Sequence, residues 1–325
     1  PGLAFQAAAE TAETLIRANE PLPEDLASIA TRLSSARGDI AVLLGADDPR
    51  FVHYLEARGR SVSLRASPIE VADLVRDTVI GSRSAVVMTS ATLTVEGGFD
   101  YMLGRLGLPD AATLRLPSEF DFATQAVLYL PEDMPDPRSP EFNRAVAWQV
   151  GEILDRTRGR AFVLFTSYSA MREVHAVVSA RTAWPTLLQG TAPRTALLRD
   201  FRATPNAVLF ATASFWQGVD VVGETLSCVI IDRLPFASPG DPLVKARIES
   251  INRRGGNAFQ EYQIPLATLA LLQGLGRLIR TKTDRGVLAV LDPRLTRMGY
   301  GRRFLASFPP APPTSDIAAI ARILQ

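Results

Sequence analysis

Gln273, Arg277 and Arg280 fall at i, i+4 and i+7 in the stretch Gln273-Gly274-Leu275-Gly276-Arg277-Leu278-Ile279-Arg280, a spacing that puts all three on one face of a helix. Two guanidinium forks and an amide on one face suit phosphate oxygens. They can also neutralise the charge that develops during phosphoryl transfer. Gly274 and Gly276 each cost about 1 kcal/mol against alanine inside a helix, so helix stability does not select them. Close approach of another backbone or of a ligand would. The competing reading is a solvated Arg face with incidental glycines. A dinucleotide-binding fingerprint is excluded, because Ile279 replaces its last glycine and a Leu-rich helix rather than a strand precedes it.

A second cluster, Thr212-Ala213-Ser214-Phe215-Trp216-Gln217-Gly218-Val219-Asp220, follows an apolar run at Ala207–Ala211. If that run is a strand, the cluster sits at its carboxyl end, where open α/β sheets place ligands. Trp216 or Phe215 can stack on a base, and Asp220 can accept from a ribose hydroxyl or a metal-bound water. The alternative is a loop with its aromatic rings packed inward. A third cluster, Met88-Thr89-Ser90-Ala91-Thr92-Leu93, is built like Phe165-Thr166-Ser167-Tyr168: small hydroxyls after an apolar run. Such hydroxyls contact phosphates or cap the next helix, and taken alone each reads more simply as a cap.

The elements that must position these clusters follow from apolar patterning. Runs at Ala85–Met88, Ala126–Leu130, Ala161–Phe165, Ala207–Ala211, Cys228–Ile231 and Val287–Leu291 predict buried strands. Amphipathic stretches at Glu141–Arg156, Tyr168–Ala180 and Arg194–Arg202 predict helices between them. Continuous apolar strands alternating with helices imply an α/β domain, a parallel sheet covered by helices on both faces. Upstream, residues 3–35 predict two helices broken at Pro21 and Pro23. Phe51–Glu56 and Ser61–Leu64 predict a hairpin, and Ile69–Thr78 a helix.

The length of 325 residues, at about 150 per domain, suggests two folded units. A formal charge of +1 excludes a wholesale polybasic DNA coat. Lys occurs only at Lys245 and Lys282, so nearly all of the cationic side chains are Arg. The single cysteine, Cys228, excludes an intrachain disulfide and a four-cysteine iron–sulfur site within this chain. Two histidines, His53 and His175, leave little for metal catalysis, so no metal ligands are expected; His175 reads as packing, and His53 sits on a hairpin strand with no partner visible. No run of 18 apolar residues suggests a membrane span. A start at Pro1 without a methionine or a basic leader suggests a fragment of a cytoplasmic protein. Eight basic residues from Arg277 to Arg303, against Asp284 and Asp292, favour phosphate binding over a merely solvated face.

Taken in order, the clusters resemble the C-terminal half of superfamily 2 helicases of the DinG/XPD-like family, in its bacterial DinG form. Thr89-Ser90-Ala91-Thr92-Leu93 resembles motif III and Phe165-Thr166-Ser167-Tyr168 motif IV. Ser214 through Asp220 resembles motif V, with Gln217 where many relatives have Glu. Gln273 through Arg280 follows the motif VI pattern QxxGRxxR. Asp232-Arg233-Leu234-Pro235-Phe236 and Asp292-Pro293-Arg294-Leu295, leading to Tyr300-Gly301-Arg302-Arg303-Phe304, add to the match. The resemblance covers about residues 80–310.

It implies a RecA-like second helicase domain over residues 121–325. A partial helical arch over 1–60 and the end of the first RecA-like domain over 61–120 would precede it. The implied function is part of an ATP-dependent helicase moving 5′ to 3′ on single-stranded DNA. Arg277 and Arg280 would reach the γ-phosphate, Gln273 would sense it, and Gly218 and Asp220 would line the nucleotide. Thr166, Ser167, Thr212, Ser214 and Trp216 would lie on the DNA path, while Thr89, Ser90 and Thr92 would couple the two sites. Neither lysine completes a G-x-x-x-x-G-K-[ST] loop, and no D-E-x-H box occurs. The triphosphate loop and the Mg²⁺ site of ATP would therefore come from an upstream RecA-like domain of the same protein. The alternative is a RecA-like nucleic-acid-binding scaffold that has lost that half.

Overall fold

The computed structural model describes residues 2–18, 23–45, 48–212, 215, 225–276, 278, 279 and 281–324. Contacts divide the chain into two units, residues 1–79 with 238–258, and residues 80–237 with 259–325. This division by packing departs from the boundaries expected after residues 60 and 120, since Ser238–Ala258 returns to the N-terminal unit.

In the first unit, helices Gly2–Arg17 and Glu24–Leu44 pack together, and strands β1 (Phe51–Arg58) and β2 (Ser61–Pro68) form an antiparallel hairpin. Glu24 and Asp25 in the first turn of the longer helix complement its dipole. The hairpin runs further than its alternation suggested. His53, expected to lack a partner, lies with Nε2 2.8 Å from the Val42 carbonyl, which fixes that nitrogen as a donor. The helix predicted over Ile69–Thr78 is a short α segment, Ala72–Val75, continued by a π-helical turn at Arg76–Ile80. Helix Pro242–Arg253 belongs here because Arg247 is buried and donates Nε and Nη2 to the Ile69 carbonyl at 2.9 and 2.8 Å.

The second unit is built on a seven-stranded sheet. Its strands are β3 (Ala126–Tyr129), β4 (Ala161–Phe165), β5 (Thr186–Leu188), β6 (Val208–Thr212), β7 (Cys228–Ile231), β8 (Gly286–Val290) and β9 (Pro313–Thr314). They lie in the order β5-β6-β4-β7-β8-β3-β9, every neighbouring pair parallel. Successive side chains of a strand point to opposite faces. Phe162, Leu164, Leu209, Val229 and Ile231 accordingly enter one core, with Leu197 and Phe201 of helix Arg194–Ala203 and Ile264, Ala267 and Leu271 of helix Ile264–Leu275. Val163, Phe165, Val208, Phe210, Cys228 and Ile230 enter the other, with Val150 and Leu154 of helix Phe142–Thr157 and Met171 and Val174 of helix Tyr168–Ser179. Both faces are covered, as the unbroken apolar runs require.

Cys228 is fully buried, and burial raises its thiol above the usual range, so it acts as a small hydrophobe. His175 is a packing residue too: its ring stands edge-on to Phe210 at 5.0 Å, and burial lowers its pKa.

One predicted strand is absent. Ala85–Met88 has no sheet partner among the described residues, and Val87 is 90% exposed. A strand exists through the ladder it joins, and both edges of this sheet are held by other segments, β5 and β9. Those two edge strands, three and two residues long, carry too little patterning to be anticipated.

Candidate functional site

The carboxyl ends of two adjacent strands, β4 and β6, carry Thr166, Ser167 and Thr212. Thr166 follows β4, and Ser167 caps the helix Tyr168–Ser179, its Oγ accepting from the Ala170 amide at 3.2 Å. The capping reading of Ser167 thus holds, whatever else it does. Thr212 ends β6 and is buried. Its amide and hydroxyl both donate to Gln189 Oε1, at 2.7 and 3.1 Å, while Gln189 Nε2 reaches the Tyr168 hydroxyl at 2.7 Å. Gln189, directly after β5, therefore ties the Phe165–Tyr168 segment to the end of β6. Sequence reasoning missed it because β5 itself was not foreseen.

Two buried carboxylates brace the neighbouring loops. Asp232, after β7, accepts from the amides of Thr166 (3.0 Å) and Arg233 (2.7 Å) and from Arg233 Nη1 (2.9 Å). The Arg233 guanidinium also donates to Asn143 Oδ1 at 2.9 Å and lies over the Phe142 ring. Asp292, after β8, accepts from the Leu234 amide at 2.8 Å and from the amide, Nε and Nη2 of Arg294. The Asp-Arg-Leu-Pro-Phe and Asp-Pro-Arg-Leu strings are thus parts of one brace. Each supplies the carboxylate that holds a loop.

Burial pushes the Asp232 carboxyl up to about 6, against the pull of Arg233 and two amides. Between about pH 4 and 6 the folded protein then holds a proton here that the unfolded chain has released, so rising pH removes stability at this site. The melting temperature of the wild type minus that of Asp232→Asn should therefore fall across that window. A flat difference would show that the carboxyl titrates as in the unfolded chain.

The remaining candidates are placed as follows. Gln273 is half-buried in the last turn of helix Ile264–Leu275. That helix ends at Leu275. Arg277 and Arg280 lie outside the described residues, as do Ser214, Trp216, Gly218 and Asp220. Gly276 is a helix cap at which an added Cβ would meet only ordinary contacts, so close approach is not what requires it among the described residues. Leu278 and Ile279 are core residues, and the Gln125 side chain donates to the carbonyls of Thr281 and Asp284 at 2.9 and 3.0 Å. Thr281 and Asp284 are therefore held at the amino end of β3 and β8. Thr89, Ser90 and Thr92 lie on an irregular segment, where Ser90 Oγ accepts from the Thr92 amide at 3.2 Å.

The basic run is less available for phosphate than its composition suggested. Arg294 is paired with Asp292, Arg297 donates to the Glu132 carbonyl, and Arg303 is held by Glu96 and Gln260. Phe215 is buried with the Arg194 guanidinium 5.3 Å from its ring centre, so this aromatic packs inward. Among the described residues no group of three or more His, Cys, Asp or Glu side chains could hold a metal ion, and no helix is long and apolar enough to cross a membrane.

Comparison with known proteins accords with this architecture. Residues 150–311 match the helicase C-terminal domain family. The ATP-dependent DNA helicase YoaA of Escherichia coli (strain K12) is 44% identical over 278 residues, covering 86% of this chain and 44% of the relative. The ATP-dependent helicase DinG of Mycobacterium tuberculosis is 39% identical, covering 81% of this chain and 40% of the relative. The chain thus spans less than half the length of these curated relatives. A solved XPD helicase superposes with a TM-score of 0.61 at 16% identity, over 89% of this chain and 56% of that one, a likeness of fold. Residues 150–311 thus belong to the helicase C-terminal domain family, and over most of its length the chain is similar to DinG-like helicases.

Proposed function

We propose that the chain is the C-terminal part of a longer ATP-dependent DNA helicase that moves 5′ to 3′ on single-stranded DNA in the cytoplasm. The observation that carries this reading is the polar carboxyl edge of the sheet. There Thr166, Ser167, Tyr168 and Thr212 stand on adjacent strand ends joined by Gln189.

In this reading Thr166, Ser167, Thr212, Ser214 and Trp216 contact the DNA strand, with Trp216 stacking on a base. Gln273, Arg277 and Arg280 take the terminal phosphate of ATP, and Gly218 and Asp220 the rest of the nucleotide. Two guanidinium forks and an amide offer donors to the acceptor-only oxygens of a triphosphate. Bound Mg²⁺ neutralises phosphate charge during transfer, and its ligands and the phosphate-cradling loop are assigned to the upstream RecA-like domain. Thr89, Ser90 and Thr92, on residues 61–120, couple that domain to residues 121–325, and residues 1–60 belong to a helical arch. The scaffold alternative is not favoured, since the relatives with which the chain aligns are named as helicases.

The test is hydrolysis measured with and without single-stranded DNA, for the chain alone and for the chain joined to its upstream segment. The joined protein should hydrolyse ATP and be stimulated by DNA; the 325-residue chain should do neither. Reproducible DNA-stimulated turnover by the chain alone would overturn this division of the ATP site.

A further inference from the structure

The orientation of Gln189 follows from what its neighbours can do. A backbone N–H can only donate, so the Gln189 atom 2.7 Å from the Thr212 amide is the carbonyl oxygen. The Thr212 hydroxyl, 3.1 Å from the same atom, is then a second donor to it. The side-chain amide nitrogen must therefore face the Tyr168 hydroxyl, 2.7 Å away, and that nitrogen can only donate in turn. Tyr168 accepts this bond, which leaves its own proton directed elsewhere. Among the described residues no other partner reaches that hydroxyl, and the Tyr168 side chain is 49% exposed at the edge where Thr166 and Ser167 stand. The Gln189 amide N–H also donates to the Phe210 carbonyl at 2.9 Å, which fixes the backbone from which the side chain reaches.

We infer that Tyr168 donates its phenolic proton to a phosphate oxygen of the bound DNA strand, and that Gln189 is the positioning residue that keeps this proton available. The inference rests on the reading of this edge as the DNA path. A DNA backbone offers only acceptors at its phosphates, so a tyrosine whose proton were spent inside the protein would present the wrong polarity. Gln189 prevents that by presenting a donor to the phenol oxygen. Because the same side chain accepts twice from Thr212, the end of β6 and the Tyr168 ring are set by one group. A displacement of the segment after β6 would then be felt at the phosphate contact.

The test is fluorescence anisotropy of a labelled single-stranded oligothymidylate titrated with the 325-residue chain and its variants at one low salt concentration. Tyr168→Phe keeps the ring and removes the proton. It should weaken binding about tenfold or more, the range for a hydrogen bond to a charged acceptor. The slope of affinity against salt should stay unchanged, since a neutral hydroxyl releases no counterion. Gln189→Glu keeps the acceptor for Thr212 but turns the Tyr168 proton inward, and should weaken binding with little change in melting temperature. Gln189→Leu should also weaken binding, yet add no further loss in the Tyr168→Phe background. Equal losses from Gln189→Leu in both backgrounds, or a fall in melting temperature alone, would make Gln189 merely structural and overturn the inference. Absence of DNA binding by the wild type would overturn the DNA-path reading itself. Wild-type binding that Tyr168→Phe leaves intact would overturn the Tyr168 contact alone.

Discussion

Replacing Arg280 by alanine in the longer protein should lower ATP turnover by about 10³–10⁵-fold, the contribution of an arginine finger. Nucleotide affinity should change far less. The charge that Arg280 is proposed to meet spreads over the phosphoryl oxygens only as the bond to the leaving group breaks. An interaction made chiefly in the transition state lowers kcat when removed and leaves binding nearly as it was. Arg280→Lys should restore little, because an ammonium keeps the charge and loses the planar fork that engages two oxygens at once. Removing an arginine takes away no apolar side chain, so the substitution opens no apolar cavity and the fold should persist. Turnover and nucleotide affinity measured side by side for the wild type and both variants decide the matter. Near-normal turnover in Arg280→Ala would return the segment to a solvated basic stretch.

The parallel sheet was legible because its central strands are buried on both faces. A run such as Ala161–Phe165 admits no polar residue on either side, and that continuity separates it from an amphipathic helix or a half-exposed strand. The same logic misled at Ala85–Met88. Its residues are as apolar as those of β7, but apolarity specifies a strand only where a ladder is available, and none of the described strands pairs with it. The edge strands erred in the other direction. Thr186–Leu188 and Pro313–Thr314 are strands because β6 and β3 offer them open edges, a property of their neighbours rather than of their own sequence.

The site was legible by type more than by geometry. Thr166, Ser167 and Thr212 are where strand-end hydroxyls were expected. The residue that links them, Gln189, lies in a segment with no pattern to mark it. Of the helical face expected for Gln273, Arg277 and Arg280, only Gln273 lies among the described residues, in a helix that ends at Leu275. Charge counting failed for a different reason. Arg294, Arg297 and Arg303 looked like surface cations because their partners, Asp292, the Glu132 carbonyl and Glu96, are brought to them by tertiary structure. A count of like charges along a segment cannot see across a fold.

Asp292→Ala should destabilise the sheet unit by about 3–5 kcal/mol, the range for removing one partner of a buried ion pair. For a unit of this size that corresponds to a loss on the order of ten degrees in melting temperature. The carboxylate is 2% exposed and accepts from four donors: the Leu234 amide, and the amide, Nε and Nη2 of Arg294. Alanine leaves the Leu234 amide with no acceptor in a buried position, and the fork of Arg294 beside an apolar methyl. Arg294→Ala should cost less. Its side chain is 29% exposed, so water already screens the pair, and Asp292 would keep its bonds to two backbone amides. Asp292→Asn should fall between the two, since one amide oxygen can still receive the Leu234 N–H. Because Leu234 follows Arg233, and Asp232 holds the Thr166 amide, loosening this loop should also weaken single-stranded DNA binding at temperatures where the fold survives. Thermal unfolding and DNA affinity of the three variants check the order. An Arg294→Ala loss equal to that of Asp292→Ala would place the stabilisation in the ion pair rather than in the carboxylate's hold on the two loops.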